Sequence, residues 1–288
     1  MKPVCTSIRR ARPLLGTFVE IAVSGIGRAA MEEAVEAAFA TVAEVHRLMS
    51  FQDSASDVAL LNRKAAERAI IVHPWTFEVL EASLEIQRRS AGIFDIAAAQ
   101  GRRRRTSCIG SVELFPGRRV RFSDPGVAID LGGIAKGFAV DRAIDVLRDR
   151  AVPQGLVNAG GDLAACGLDK ALISLRDPRD PRRILCRTEI SGEALASSGR
   201  KVDPFGGSDT TETAVIDPRT LRYAQAAVGA TVRANRCMIA DALTKVVMVA
   251  GEAASPILAQ YGASALFLSP DGDLRVSGNW QSAVRLAA

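Results

Sequence analysis

The sequence predicts an α+β fold with mixed sheets and packed helices. Strand-like segments outnumber helical segments, and the two kinds do not alternate along the chain, which argues against a doubly wound parallel sheet. Of the 288 residues, 48% are hydrophobic but only 5% are aromatic. Aliphatic side chains must therefore build the core, and the chain is long enough for a large one.

The N-terminal third combines one strand with two helices. Residues 16–23 (GTFVEIAV) are rich in β-branched and aromatic side chains, which favours a strand. Apolar residues spaced three or four apart from Val35 to Met49 predict a long amphipathic helix. Pro74 suits the first turn of a second helix, which we expect to end near Gln87.

The remainder of the chain is predicted to hold most of the strands. Residues 127–131 are expected to form a short apolar strand that runs into Gly132-Gly133 and then into a helix ending near Arg148. Further strands are predicted over 155–157, 171–175, 184–190, 213–216 and 227–232 and near Leu266 and Leu274, with helices over 237–250 and near Pro256.

The charge distribution argues against a nucleic-acid-binding protein. The net charge is +5, but four positive charges stand in one arginine run, residues 102–105, and the rest of the chain carries about +1. Nucleic-acid-binding domains spread basic residues over a face with aromatic residues between them. We therefore interpret the arginine run as a solvated loop.

Cysteine and histidine usage argues against disulfide and zinc sites. The five cysteines are odd in number and widely spaced, without a C-x-x-C pair, and there are only two histidines. This is typical of reduced thiols in a reducing compartment. No uncharged apolar run approaches the ~18 residues of a membrane-spanning helix, and no signal peptide is apparent, so we expect a cytoplasmic protein without a membrane span.

The segment from Ile129 to Asp141 carries the strongest chemical signal. A predicted strand ends at Asp130, Gly132-Gly133 turn the chain, and Lys136 stands in the first turn of the following helix. Glycines at a helix N-terminus free backbone N–H groups for an anion, and the lysine adds a positive charge. The alternative is an ordinary tight turn between a strand and a helix.

Two further segments are candidates for the same site. A glycine turn runs from Asn158 to Asp162 after a strand; it lets the backbone approach a ligand, or it is simply a tight hairpin. Asp241 and Lys245 are four residues apart on a predicted helix and are expected to project from the side opposite its apolar stripe. The alternative for this pair is a plain surface ion pair.

Together these segments resemble the FAD:protein FMN transferases, the ApbE-like flavin transferases. The matching motifs, in order, are Leu15-Gly16-Thr17, Ser50 through Leu61-Asn62, Gly92-Ile93-Phe94-Asp95, Asp130 to Asp141, Asn158 to Asp162, Ser198-Gly199, Asp217-Pro218-Arg219-Thr220 and Ala240-Asp241-Ala242. The resemblance covers nearly the whole chain and implies an ApbE-like α+β fold with FAD in a cleft. It implies one catalytic unit over residues 1–288, with a division into two sub-domains around the cleft left open.

The resemblance assigns roles to individual residues. Those that match cofactor-binding positions are Leu15, Ile93, Phe94, Asp95, Asp130, Lys136, Gly160, Gly161 and Ile216. Gly133 matches a position that offers its backbone carbonyl to Mg²⁺, and Asp241 matches a carboxylate ligand of the metal. Asp241, Lys136 and Lys245 are the predicted catalytic residues. Because Asp241 is expected to lie off the apolar stripe, its removal should abolish activity without unfolding the chain.

Several positions depart from the family pattern. Lys245 stands where the family has threonine, Ala214 where it has a histidine suited to act as general base, Leu221 where it has glycine and Phe138 where it has tyrosine. An ammonium cannot ligate a metal, but it can contact phosphate directly and so partly replace the metal. The alternative is that Lys245 only pairs with Asp241.

The implied activity is transfer of FMN from FAD to a Thr or Ser hydroxyl of an acceptor protein, with release of AMP. FAD is then the donor, Mg²⁺ the expected metal, and the acceptor protein the partner. Two alternatives remain open. One is a non-catalytic FAD-binding protein, which the departures at Lys245 and Ala214 motivate. The other is an FAD pyrophosphatase in which water replaces the acceptor hydroxyl.

Overall fold

The computed structural model describes residues 7–98, 110–167, 170–180, 182–199, 213, 215–277 and 279–286. Its strands are β1 (Ser7–Leu14), β2 (Thr17–Ser24), β3 (Ile70–Ile71), β4 (Val112–Phe115), β5 (Arg119–Phe122), β6 (Gln154–Ala159), β7 (Asp162–Gly167), β8 (Ala171–Arg176), β9 (Ile184–Ile190), β10 (Ala194–Gly199), β11 (Ile216–Asp217), β12 (Arg222–Tyr223), β13 (Gly229–Ala234), β14 (Ser264–Leu268), β15 (Leu274–Val276) and β16 (Val284–Leu286). The helices are α1 (Arg28–Met49), α2 (Asp57–Lys64), α3 (Pro74–Arg89), α4 (Ala135–Asp149), α5 (Cys237–Ala250) and α6 (Ser255–Gln260). Cys5, Cys108, Ala214 and the arginine run 102–105 lie outside the described residues.

One eight-stranded antiparallel sheet organises the fold. Its strand order is β1-β2-β6-β7-β10-β13-β14-β15. The described strands are not interleaved with helices as in a parallel sheet, so the predicted α+β class is confirmed. Three smaller sheets are described besides it, with strand orders β16-β9-β8, β3-β5-β4 and β11-β12.

The central strands contribute to two cores, one on each face of the sheet, because successive side chains point to opposite faces. On β10, Ala194 and Ala196 join the larger core under α1, α4 and α5. Leu195, between them, joins a second core that the small β8-β9-β16 sheet covers. Trp280 is fully buried in that second core. The main sheet is thus packed against a core on each face.

The apolar segment from residue 127 to 131 is not a strand, so that prediction is wrong. Val127, Ile129 and Leu131 are buried, but the backbone of this segment makes its hydrogen bonds to a side chain and to a loop and not to a neighbouring strand. The Ile129 N–H donates to Asn62 Oδ1 (2.8 Å) and the Ile129 carbonyl accepts from Asn62 Nδ2 (2.9 Å). The Asp130 N–H donates to the Ile96 carbonyl (2.7 Å). An asparagine side chain therefore replaces a strand partner and fixes Asp130.

β1 was missing from the sequence prediction because its pattern is not that of a half-buried strand. Of its residues only Ile8 is buried, and Arg9, Arg10 and Arg12 are exposed. It pairs with β2 along its full length at the edge of the main sheet. Charged side chains on an edge strand discourage pairing with a second chain.

One segment of the described chain, Cys237–Gln260, is long and apolar enough to cross a membrane by length and composition, and 61% of its most apolar 18-residue stretch is buried inside the protein. In the fold it comprises α5, a 3₁₀ turn and α6. α5 packs against β10, β13 and α4. Its apolar composition is accounted for by this position, because a helix surrounded by core is apolar on most sides.

Asp141 of α4 caps the N-terminus of α5. Its Oδ1 accepts from the Cys237 N–H (2.7 Å) and its Oδ2 accepts from the Met238 N–H (3.0 Å). The N-cap residue itself, Arg236, makes no side-chain capping bond. Asp141 therefore satisfies two N–H groups that lack partners within the helix and fixes α5 against α4.

We expect Asp141→Ala to lower the free energy of unfolding by about 2 kcal/mol, because a charged cap at a helix N-terminus is lost. Denaturant unfolding measures this change. Asp149→Ala, at the exposed C-terminal end of α4, is the matched control and should change the free energy of unfolding by less than about 0.5 kcal/mol. Equal unfolding midpoints for Asp141→Ala and wild type would contradict the capping role.

Candidate FAD-binding site

A cavity of about 380 Å³ opens where the loop after α3, the turn before α4, the β6–β7 turn and the end of β10 meet. Its wall mixes apolar and polar groups, as ligand-binding cavities usually do. The residues that line it are Ile93, Phe94, Asp95, Ile96, Ala98, Asp130, Gly132, Gly133, Lys136, Gly160, Ser197, Ser198, Gly199, Val215, Ile216, Pro218 and Lys245.

Two lysines and two buried aspartates form a charge cluster in the cavity wall. Lys136 Nζ donates to Asp162 Oδ2, and Lys245 Nζ donates to Asp241 Oδ1. Lys136 Nζ also lies 3.7 Å from Asp241 Oδ2, which joins the two pairs into one chain. The side chains of Asp162 and Asp241 are 1% and 0% exposed, whereas those of Lys136 and Lys245 are 28% and 18% exposed. Lys136 and Lys245 line the cavity whereas Asp162 and Asp241 do not, so the carboxylates lie behind the lysine side chains.

Backbone N–H groups hold both carboxylates in place. The Gly137 N–H donates to Asp241 Oδ2 (3.1 Å) and the Ser197 N–H donates to Asp162 Oδ1 (3.2 Å). Gly137 permits the close crossing of α4 and α5, since a Cβ there would lie 2.3 Å from the Cys237 carbonyl oxygen. The helix crossing thereby brings Lys136 of α4 to Asp241 of α5.

Lys136 stays protonated in this setting. Burial alone would lower the pKa of Lys136, but the attraction of Asp241 and Asp162 outweighs burial and raises that pKa above its ordinary value. Cys237 lies beside the cluster, and burial raises the pKa of its thiol well above the usual range. Lys136 is therefore a fixed cation at neutral pH, whereas Cys237 is a protonated, unreactive thiol.

Two turns bring backbone close to the cavity. Asp130 Oδ1 accepts from the Gly132 N–H (2.8 Å), which stabilises the turn into α4. Gly160 and Gly161, both with positive φ, make the two-residue connection of the β6–β7 hairpin. A Cβ on Gly160 would lie 2.5 Å from Thr17 Oγ1, so only glycine fits. The Gly160-Gly161 turn is thus a tight hairpin and also part of the cavity wall.

The structure brings together most of the residues that the sequence singled out. Those that line the cavity are Ile93, Phe94, Asp95, Asp130, Gly133, Lys136, Gly160, Ile216 and Lys245. Gly161 lines an adjoining groove of about 470 Å³ that shares Gly160 and the end of β10 with the cavity. Leu15 is not among the lining residues; it lies in the β1–β2 turn with its N–H 3.4 Å from His46 Nδ1.

The prediction that Asp241 and Lys245 project from a polar side of their helix is wrong. Asp241 is fully buried and Lys245 is mostly buried, because α4, β10 and β13 cover α5 on several sides. The pair is therefore not a surface ion pair. The burial of Asp241 also removes the premise on which its substitution was expected to leave the fold intact.

Three contributions to the site were missed by sequence reasoning. Asp162 is the buried partner of Lys136, and Asn62 fixes the backbone at Asp130. Thr244 Oγ1 lies 2.7 Å from the Asp241 carbonyl oxygen and 2.7 Å from Ser198 Oγ, which ties α5 to the end of β10. The motifs that resemble the family include Asp162 and Asn62, so these two residues could have been found from the sequence. Thr244 is not part of those motifs.

The predicted Mg²⁺ ligands do not fit the ion as these residues are arranged. Asp241 Oδ1 is occupied by the Lys245 ammonium, and Asp241 Oδ2 accepts from the Gly137 N–H. Mg²⁺ requires hard oxygen ligands in near-octahedral geometry, and an ammonium group supplies none. Among the described residues there is no group of three or more His, Cys, Asp or Glu side chains that could hold a metal ion. No reaction step is therefore assigned to a metal.

A cavity lined by two lysines, beside a glycine turn at a helix N-terminus, has the features of a site for a phosphorylated ligand. The model of the ApbE family matches residues 15–268, and the chain belongs to that family. The predicted family and fold are thus confirmed.

Among curated proteins the chain resembles FAD:protein FMN transferases. It is 27% identical to that of Rhodobacter capsulatus, over 91% of this chain and 55% of the relative. It is 25% identical to that of Treponema pallidum, over 96% of this chain and 88% of the relative. The chain therefore spans only about half the length of the first relative but most of the second.

Solved structures share the fold. The ApbE protein from Thermotoga maritima has a TM-score of 0.84 at 24% identity, over 96% of this chain and 99% of that chain. The flavin transferase ApbE from Vibrio cholerae has a TM-score of 0.82 at 20% identity, over 97% of this chain and 99% of that chain. The architecture described above is thus that of ApbE flavin transferases.

Proposed function

We propose that this chain is an FAD:protein FMN transferase, which moves FMN from FAD onto a Thr or Ser hydroxyl of an acceptor protein and releases AMP. The family membership and the names of the relatives support the reaction. The observation that carries it is the pair of ammonium groups, Lys136 and Lys245, in the wall of one cavity. Two adjacent cations match the two negative charges of a diphosphate.

The cavity wall suggests how FAD is held. Ile93, Phe94 and Ile216 supply apolar surface for the flavin ring, and Asp95 and Asp130 supply polar contacts. Gly160 keeps the opposite wall close to the ligand, and the adjoining groove beyond the end of β10 provides further space for a ligand as long as FAD. In this proposal Lys136 and Lys245 bind the diphosphate, and Asp162 and Asp241 fix the two lysines.

The reaction is a phosphoryl-type transfer in which the protein positions groups and neutralises charge. The acceptor hydroxyl oxygen forms a bond to the FMN phosphorus, and the bond from that phosphorus to the bridging oxygen breaks. AMP leaves with the bridging oxygen, and the hydroxyl proton passes to solvent or to the AMP phosphate. Lys136 and Lys245 stabilise the negative charge that accumulates on the phosphate oxygens. Ala214 stands where the family has histidine and lies outside the described residues. An alanine side chain cannot act as a base.

Product analysis tests this proposal against its two alternatives. The purified chain is incubated with FAD and a candidate acceptor encoded beside it, and the products are separated by chromatography and mass spectrometry. Covalent FMN on the acceptor with an equal amount of AMP supports transfer. AMP with free FMN identifies an FAD pyrophosphatase, and tightly bound FAD without products identifies a binding protein.

A further inference from the structure

Lys245 lies beside the two residues that the resemblance to the family predicts as metal ligands, Gly133 and Asp241. Its ammonium donates to Asp241 Oδ1 and also to the Asp241 carbonyl oxygen (3.0 Å), both on the preceding helical turn. Its Cε would lie 3.6 Å from a Cβ placed on Gly133, so the stem of the side chain passes directly beside that residue. Lys245 thus lies between Gly133 and Asp241, the two residues that the sequence predicted as metal ligands.

The neighbouring threonine does not restore a metal ligand. Thr244 is three residues after Asp241 instead of four, and this spacing turns its side chain toward β10. Its hydroxyl is engaged by the Asp241 carbonyl and by Ser198 Oγ, both at 2.7 Å. Thr244 therefore does not supply the hydroxyl oxygen that a threonine at position 245 would offer to a metal ion.

The charge balance of the cluster is complete without a metal ion. The two carboxylates of Asp162 and Asp241 are matched by the two ammonium groups of Lys136 and Lys245. A divalent cation on Asp241 would lie against Lys245 and would be repelled by it. A diphosphate in the cavity, by contrast, is a hydrogen-bond acceptor, and an ammonium group has three donors, of which Lys245 gives two to Asp241.

From this arrangement we propose that the Lys245 ammonium replaces the divalent cation as the diphosphate-binding group, so that FAD binds without Mg²⁺. The inference rests on the proposed function, since it concerns the FAD diphosphate. It extends that function by assigning the contact with the diphosphate to a lysine side chain in place of a metal ion. Lys245 is thereby a binding residue for the ligand and is more than the ion-pair partner of Asp241.

The test is titration of FAD into the purified chain, followed by flavin fluorescence, once in EDTA and once in excess MgCl₂. We expect the wild-type dissociation constant to agree within about twofold between the two conditions. Lys245→Thr should weaken FAD binding in EDTA by roughly 10- to 100-fold, the effect of losing a hydrogen bond to a charged group. Mg²⁺ should restore much of that affinity, because threonine and Asp241 then offer oxygen ligands.

Two controls separate the metal effect from general damage. Lys245→Met removes the ammonium but offers no oxygen, so we expect the same loss of affinity with much less recovery in Mg²⁺. Lys64→Thr alters an exposed lysine that pairs with Glu67 on the surface and should leave both titrations unchanged. Circular dichroism establishes that each variant is folded before titration. Calorimetric titration of Mg²⁺ without FAD should show binding to Lys245→Thr and none to wild type.

The outcomes distinguish this inference from the proposed function. If wild type binds FAD but needs Mg²⁺ to do so, or if wild type and Lys245→Thr give identical Mg²⁺ curves, the inference is overturned while the proposed function stands. If wild type binds no FAD in either condition, the proposed function fails and this inference fails with it.

Discussion

Asp241→Ala is expected to abolish FMN transfer and to lower the free energy of unfolding by about 3–5 kcal/mol, the usual cost of removing one partner from a buried ion pair. The carboxylate is fully buried and is contacted by Lys245, by Lys136 and by the Gly137 N–H. Without it, two partly buried ammonium groups repel each other and the α4–α5 contact loses a hydrogen bond. Denaturant unfolding and the product assay measure the two effects.

Two comparisons make this prediction specific. Asp241→Asn keeps the size of the side chain but loses its charge, so it should also lose activity if charge is what matters. Asp145→Ala alters an acid of α4 that is 41% exposed and pairs with Arg142 and Arg148 on the surface; it should cost less than about 0.5 kcal/mol. Wild-type stability and turnover in Asp241→Ala would refute the role assigned to the charge cluster.

Lys136→Met is expected to weaken FAD binding by roughly 10- to 100-fold and to slow transfer further, because one of two diphosphate-binding cations is lost. It also leaves Asp162 buried without its ammonium partner, so stability should fall as well. Fluorescence titration gives the affinity and product analysis gives the rate.

The double variant Lys136→Met/Asp162→Leu separates binding from folding. Removing both members of the buried pair should recover stability but not FAD affinity, since replacing a buried ion pair by apolar groups is often neutral. Lys170→Met, an exposed lysine paired with Glu189, is the surface control and should change neither quantity. If the double variant regains FAD affinity together with stability, Lys136 is a structural residue and does not bind the ligand.

Local patterns were sufficient to predict the α+β class and the turn from Asp130 to Lys136. Glycines after an apolar segment, followed by helical spacing, are short-range signals, and the structure has a turn into a helix there. Apolar spacing likewise predicted α5 with the correct bounds. These features depend on residues close together in the sequence, which is why one sequence is enough to find them.

The features that the sequence did not predict depend on long-range packing. The burial of Asp241 follows from the crossing of α4 and α5, which Gly137 permits although it lies about one hundred residues away along the chain. The apolar run at Ile129 indicated burial correctly but not its partner, the side chain of Asn62. Neither contact leaves a periodic signal, because each joins one residue to a distant one.

Comparison of FAD with FMN as ligands tests the central claim most directly, namely that the paired ammonium groups bind a diphosphate. FMN retains the flavin but lacks the AMP half and the phosphoanhydride, so it offers one phosphate group to Lys136 and Lys245 where FAD offers two. Titration of the wild-type chain should therefore give a dissociation constant for FAD at least about tenfold below that for FMN, the loss expected for one hydrogen bond to a charged group. Equal affinities for FAD and FMN would show that the cavity does not recognise the diphosphate, and would contradict the account.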